Sequence, residues 1–297
     1  MSPGQGLGSA GPQVILDPFQ FAFMIHALEA ATAVSILAGV VGWLTVLRRE
    51  IFAGHTLSVM AFPGAAGATL AGVPVAWGYL AACTAAALVL GPGTHAARRG
   101  FRDQTALVGT VQAVGLSLGL VALSVNGSVQ QDLEPLLFGS IVGISAGRAL
   151  SLAVLTVVLL ALLATVGRPL LLTSVDPALA RSRGLPVGLL SGGFLVILGV
   201  AVAAASQVTG ALLVFALLIM PAGCARQLTS RPGPGLGLSV GLGLTFSWVG
   251  LELAYYTDYP LGFYVSSLGL SSYVTLRLLA RRRGARASGA TAPGEAR

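Results

Sequence analysis

The 297-residue sequence contains no lysine; all seventeen basic residues are arginine. That absence excludes a P-loop, whose lysine reaches the β- and γ-phosphates of a bound nucleotide. Charge of either sign is scarce, at 9% of the chain against about a quarter in a typical soluble domain. Cysteine is nearly missing too. Cys83 and Cys224 both lie inside apolar runs without CxxC or metal-type spacing, so they read as small buried hydrophobes rather than a disulfide framework. There is no nucleophile–base arrangement, no pair of catalytic carboxylates and no complete metal-ligand motif, which argues against an enzyme and against a resident cofactor. The first sixteen residues, rich in Gly, Pro and Ser, lack a basic n-region, so a cleaved signal peptide is not indicated.

What the chain has in quantity is apolar surface. Hydrophobic residues make up 55% of it and the mean hydropathy is +0.85, which places it in the membrane class. Its net charge of +7 is no nucleic-acid signal, because the arginines punctuate apolar runs instead of lining an exposed face. A bilayer-crossing helix needs about 20 mostly apolar residues. Uncharged runs of that order occur at Ala30–Leu47, Gln104–Gln131, Ala149–Gly167, Pro232–Leu251 and Tyr259–Leu276. Two longer runs each hold a pair of spans: Ile51–Ala97 breaks at Gly72-Val73-Pro74, and Gly184–Ala225 breaks around Ser206–Gly210. The expected fold is an all-α polytopic bundle of about eight or nine transmembrane helices. Pro135–Ser145 is too short to cross and is expected to be re-entrant or interfacial.

The positive-inside rule orients the bundle. Arg48 and Arg49, Arg98 to Arg102, Arg168 to Arg183, Arg226, Arg231 and the Arg277–Arg286 cluster fall on one side, with Arg148 alone against the pattern. That side, with the C-terminus, is expected to be cytoplasmic in a multi-pass inner-membrane protein; the side of the N-terminus depends on the span count. Residues 1–18 read as an N-terminal extension, 19–283 as the transmembrane domain and 284–297 as a disordered cytoplasmic tail. The spacings Gly115-x-x-x-Gly119, Gly139-x-x-x-Gly143, Gly188-x-x-x-Gly192 and Gly237-x-x-x-Gly241 predict close helix packing. Pro221 inside an apolar run predicts either a broken helix or a helix end before Arg226.

Four stretches carry a resemblance. They are Phe23-Met24 through Val46-Leu47-Arg48-Arg49; Gly54-His55-Thr56-Leu57-Ser58-Val59-Met60-Ala61-Phe62-Pro63-Gly64; Ser174-Val175-Asp176-Pro177-Ala178-Leu179-Ala180 with Gly184-Leu185-Pro186; and Gly210-Ala211-Leu212-Leu213-Val214-Phe215-Ala216-Leu217-Leu218-Ile219-Met220-Pro221-Ala222-Gly223-Cys224-Ala225-Arg226. In order and spacing these resemble the ABC-3 family of metal-importing permeases. The resemblance implies a permease that forms a homodimer, docks ATP-binding subunits on its cytoplasmic face and receives divalent metal as cargo from an extracellular metal-binding lipoprotein or other solute-binding protein. It also implies that Asp176, Pro177, Ala178, Leu179 and Gly184 form the ATPase-coupling loop. The residues agree with a short capped helix there, with Asp as N-cap, Pro in the first turn, and Gly184 and Pro186 ending it.

Ionisable groups inside a membrane are functional candidates by default. His26 and Glu29, three apart, share one helix face near the start of the first span. His55 opens the second span and aligns with the family's metal-facing Asp. A departure accompanies it: the family's His, one helical turn further, is Val59 here. A lone imidazole does not hold a divalent ion, so His26 and Glu29 would complete the site or the cargo would differ. His95 is expected to face the interface. Two other readings stand beside the metal importer: an ABC importer of a metal chelate of the siderophore or cobalamin type, and a secondary carrier or scaffold that works without an ATPase.

Overall fold

In this computed structural model the protein is described at residues 21–95, 101–125, 137–139, 144–211, 213–257 and 259–289. These form helices and turns, with no strand among the described residues. In chain order the helices are α1 (Ala22–Leu47), α2 (Ile51–Leu70), α3 (Val75–His95), α4 (Phe101–Val125), α5 (Ala146–Val175), α6 (Pro177–Ser182), α7 (Val187–Thr209), α8 (Val214–Leu228), α9 (Pro232–Tyr255) and α10 (Leu261–Gly289). Nine are long and α6 is a single short piece. By length and composition α1, the Ala106–Val125 part of α4, α5, α7 and α9 suffice to cross a membrane.

Both predicted breaks are present. Ala71–Pro74 separates α2 from α3, with Gly72 at φ +68°, and α7 stops at Gly210, φ +78°. Gly210 needs its missing side chain for a second reason, because a Cβ there would strike the backbone of Leu137–Gly139. Gly139, φ +81°, meets the Val208–Gly210 backbone in the same way. This contact is the described part of the expected Pro135–Ser145 re-entrant piece; most of that piece lies outside the described residues. Pro221 neither ends nor opens a helix, since α8 runs through it to Leu228. The chain flanking Pro221 is apolar and closely packed, so neighbouring helices hold its turn in place.

The long helices alternate in direction. Arg48 ends α1 beside the last turn of α5 and the first turns of α7, and Arg226 near the end of α8 lies over Trp43 of α1. These contacts gather one set of helix ends, the arginine end. Arg148 sits in the first turn of α5, at the other end. α1 and α7 are the most enclosed spans, while α4 and α5 present most of their surface outward. Hydroxyls and an indole stitch α1 to α9: Ser35 donates to Ser247 at 2.6 Å, Ser239 to the Gly39 carbonyl at 2.8 Å and Trp248 Nε1 to Thr32 at 2.9 Å. Of the four small-residue spacings, Gly115 and Gly119 seat Met60 and Phe62 of α2, whereas Gly237 and Gly241 meet no neighbour within the chain. α10 continues to Gly289, so the first residues of the expected disordered tail are helical. Arginine and alanine after Leu279 are strong helix formers and extend the span's last turns.

Candidate functional site

The arginine end is built around α6. Asp176 sits outside helical geometry at φ −139°, ψ 88°, and its Oδ1 accepts the Leu179 N–H at 2.9 Å. Pro177, the first helical residue, loses no hydrogen bond because that position's N–H would be free anyway. Gly184, φ +74°, reverses the chain after α6, and Pro186 leads into α7. Within α6 only Ala180 is buried. Val175 just before it, Leu179 within it and Leu189 just after it are 73%, 40% and 76% exposed, so this hook presents apolar side chains outward.

Beneath the hook lies Arg48, whose side chain is 5% exposed. One terminal nitrogen donates to Ser174 Oγ at 3.0 Å and Thr173 Oγ1 at 3.5 Å. The other donates to Ser191 Oγ at 2.6 Å and Glu50 Oε1 at 3.0 Å. The guanidinium carbon stands 5.0 Å from the centre of the Phe194 ring, a cation–π distance. The chain reaches Glu50 through Arg49 at φ +60°, the one left-handed non-glycine residue among the described ones. Burial pushes the Glu50 carboxyl above its ordinary 4.5, and the adjacent Arg48 charge and hydrogen bond offset only part of that.

His55 lies one turn into α2 and is half-buried, with its ring edge-on to Phe215 of α8 at 4.9 Å. Its Nδ1 is buried with no hydrogen-bond partner. Val59, at the position of the expected second ligand, is buried and apolar. On the same helix Thr56 donates to Gln112 of α4 at 3.4 Å. Neighbouring Gly54 packs against Leu198, midway along α7, and against Thr45 of α1.

His26 and Glu29 do pair, with Nδ1 and Oε2 3.4 Å apart, but they pair elsewhere. From His26 to Thr45 is about 28 Å along α1 at 1.5 Å per residue. The two sets of candidate ligands therefore cannot share one ion, and the idea that His26 and Glu29 complete a site at His55 is corrected by the length of α1. Glu29 borders a shallow groove of about 470 Å³ between α1 and α5 near the opposite end. Among the described residues no three His, Cys, Asp or Glu side chains cluster tightly enough to hold an ion. The side chain of His95 lies outside the described residues.

Sequence reading missed the Arg48 joint, because Thr173, Ser174 and Ser191 stand more than a hundred residues from Arg48. One signal was available: an Arg-Arg-Glu run between two apolar spans, where a lone carboxylate beside the bilayer calls for a partner. Phe215, the ring against His55, looked like any apolar residue of its run.

Comparison with known proteins follows the same outline. The family model described as "ABC 3 transport family" matches residues 20–278. The "Probable iron transport system membrane protein" of Haemophilus influenzae is 31% identical over 248 residues, covering 84% of this chain and 90% of that protein. The "Manganese transport system membrane protein MntC" of Listeria monocytogenes is 28% identical over 236 residues, 80% of this chain and 83% of that protein. Among solved structures, "PsaBC from Streptococcus pneumoniae in complex with Fab" aligns with TM-score 0.77 at 27% identity, covering 88% of this chain and 94% of that one. With the match running from the start of α1 into α10, the chain belongs to the ABC 3 transport family of membrane permeases.

Proposed function

We propose that this protein is the permease subunit of a bacterial ABC importer for divalent transition-metal ions, driven by a separate ATP-binding subunit. The observation that carries the reading is the family match across residues 20–278, joined to a capped helix, α6, that stands off the arginine end between two spans. A chain without lysine supplies no P-loop of its own, so the nucleotide chemistry belongs to a partner. The positive-inside rule supports a cytoplasmic arginine end, where that ATPase would meet the exposed Leu179 and its neighbours. An extracellular binding protein would deliver cargo to the opposite end, and two copies of the chain would flank the path. Relatives named for iron and manganese transport support a metal ion as cargo.

Within the path, His55 offers an unpaired imidazole nitrogen one turn into α2, a weak single donor suited to passage rather than storage. The exposed His26–Glu29 pair at the far end would meet cargo first. The test is uptake of radioactive manganese(II) or iron(II) by proteoliposomes holding the permease, its ATPase and its binding protein. His55→Ala is expected to lower uptake about tenfold with ATPase assembly intact, the loss of one charge-assisted or metal contact. Normal uptake by that variant removes His55 from the path. Uptake of an iron chelate but of no free metal ion would favour the chelate reading, which Val59 in place of a second ligand makes the specific alternative.

A further inference from the structure

Resting on the reading of α6 as the ATPase-docking element, we propose that Arg48 is a positioning residue that joins both ends of that element to the helix carrying His55. The geometry that carries this is the distribution of its hydrogen bonds. α6 buries only Ala180, so the hook has almost no grip on the bundle through its own side chains. Force applied to it enters the bundle through its two ends. Ser174 lies just before Asp176, and Ser191 lies in the first turns of α7, just after Pro186. Arg48 holds both, at 3.0 and 2.6 Å. The nitrogen that holds Ser191 also holds Glu50, which opens α2 one turn ahead of His55.

A guanidinium suits this role better than an ammonium. Its planar fork fixes several acceptors at set angles and stays charged at any working pH. With the side chain 5% exposed, the bonds are made in a low-dielectric site where they are not exchanged for water. The network also has spare capacity: Arg48 Nε and Glu50 Oε2 are buried and unpartnered, so a second set of bonds is open to it once α5 and α7 shift. The two ends of the hook therefore cannot move independently of α2 while the Arg48 bonds hold. A shift of α6 is delivered to the region of His55 rather than absorbed in the loops.

The experiment measures manganese(II) transported per ATP hydrolysed by the reconstituted importer, a ratio that overall stability does not set. Arg48→Met keeps an unbranched apolar stem and removes the fork; it is expected to hydrolyse ATP while the ratio falls about tenfold. An unchanged ratio overturns the proposal. If Arg48→Met does not assemble, Ser191→Ala, which removes one acceptor, decides. A fall of about threefold with Ser239→Ala unchanged supports the joint, and a ratio at the wild-type value in Ser191→Ala, or an equal fall in both, overturns it. Ser239 donates a buried hydroxyl hydrogen bond to the Gly39 carbonyl away from α6, so it controls for the loss of a buried serine hydroxyl. The underlying reading is tested separately by Leu179→Arg. Loss of ATPase binding supports docking at α6, and retained binding overturns that reading whatever the Arg48 ratio shows.

Discussion

At the residue scale, side chains that are missing matter as much as those present. Gly42 of α1 lies where a Cβ would press on the carbonyl oxygen of Leu218 in α8, a backbone atom that cannot rotate away. Small residues of this kind let helices approach where lipid supplies no hydrophobic drive between them. Gly42→Ala is therefore expected to destabilise the bundle by about 1–3 kcal/mol. Gly67 of α2, with open space around it, is the control: Gly67→Ala is expected to be neutral or to stabilise by about 0.5–1 kcal/mol. Unfolding of the detergent-solubilised permease by SDS titration measures both. Trp43, fully buried against Gly235, follows the same logic with a large residue completing the contact.

At the element scale, α6 is held in shape by its cap rather than by burial. Asp176→Ala removes the acceptor for the Leu179 N–H and is expected to cost the local helix about 1 kcal/mol, whereas Asp176→Asn keeps an acceptor and most of the stability. Faster amide hydrogen exchange over Ala178–Arg181 in the alanine variant alone would bear this out, with ATPase affinity falling in parallel. This element was legible in the sequence because its information is local: Asp-Pro at the start and Gly-x-Pro at the end are short-range turn and cap signals. The breaks at Gly72 and Gly210 were legible for the same reason. Arg48 was not, because its partners are brought together only by the packing of α1 on α5 and α7. Nor was the distance between His26 and His55, since two residues early in consecutive helices look close on paper when an entire span separates them.

At the scale of the whole molecule, the nine long helices among the described residues alternate in direction, so Phe21 and Leu179 lie at opposite ends. Both are exposed, at 48% and 40%, and both native cysteines are buried. Single cysteines at these positions report the orientation directly. Phe21→Cys is expected to react with a membrane-impermeant maleimide in intact spheroplasts, and Leu179→Cys only after permeabilisation. The opposite result would invert the proposed orientation and overturn ATPase docking at α6.

The odd number of long helices among the described residues has one more consequence. α1 begins at one end of the bundle and α10 finishes at the other. Two copies of this chain could not be written as one tandem gene, tail joined to head by a plain linker, because the linker would have to pass through the bilayer. Two copies of a chain with an even count could be joined by a plain linker. This one would need an added crossing between the copies, so fusions with and without an added single span test whether its ends lie on opposite sides of the membrane.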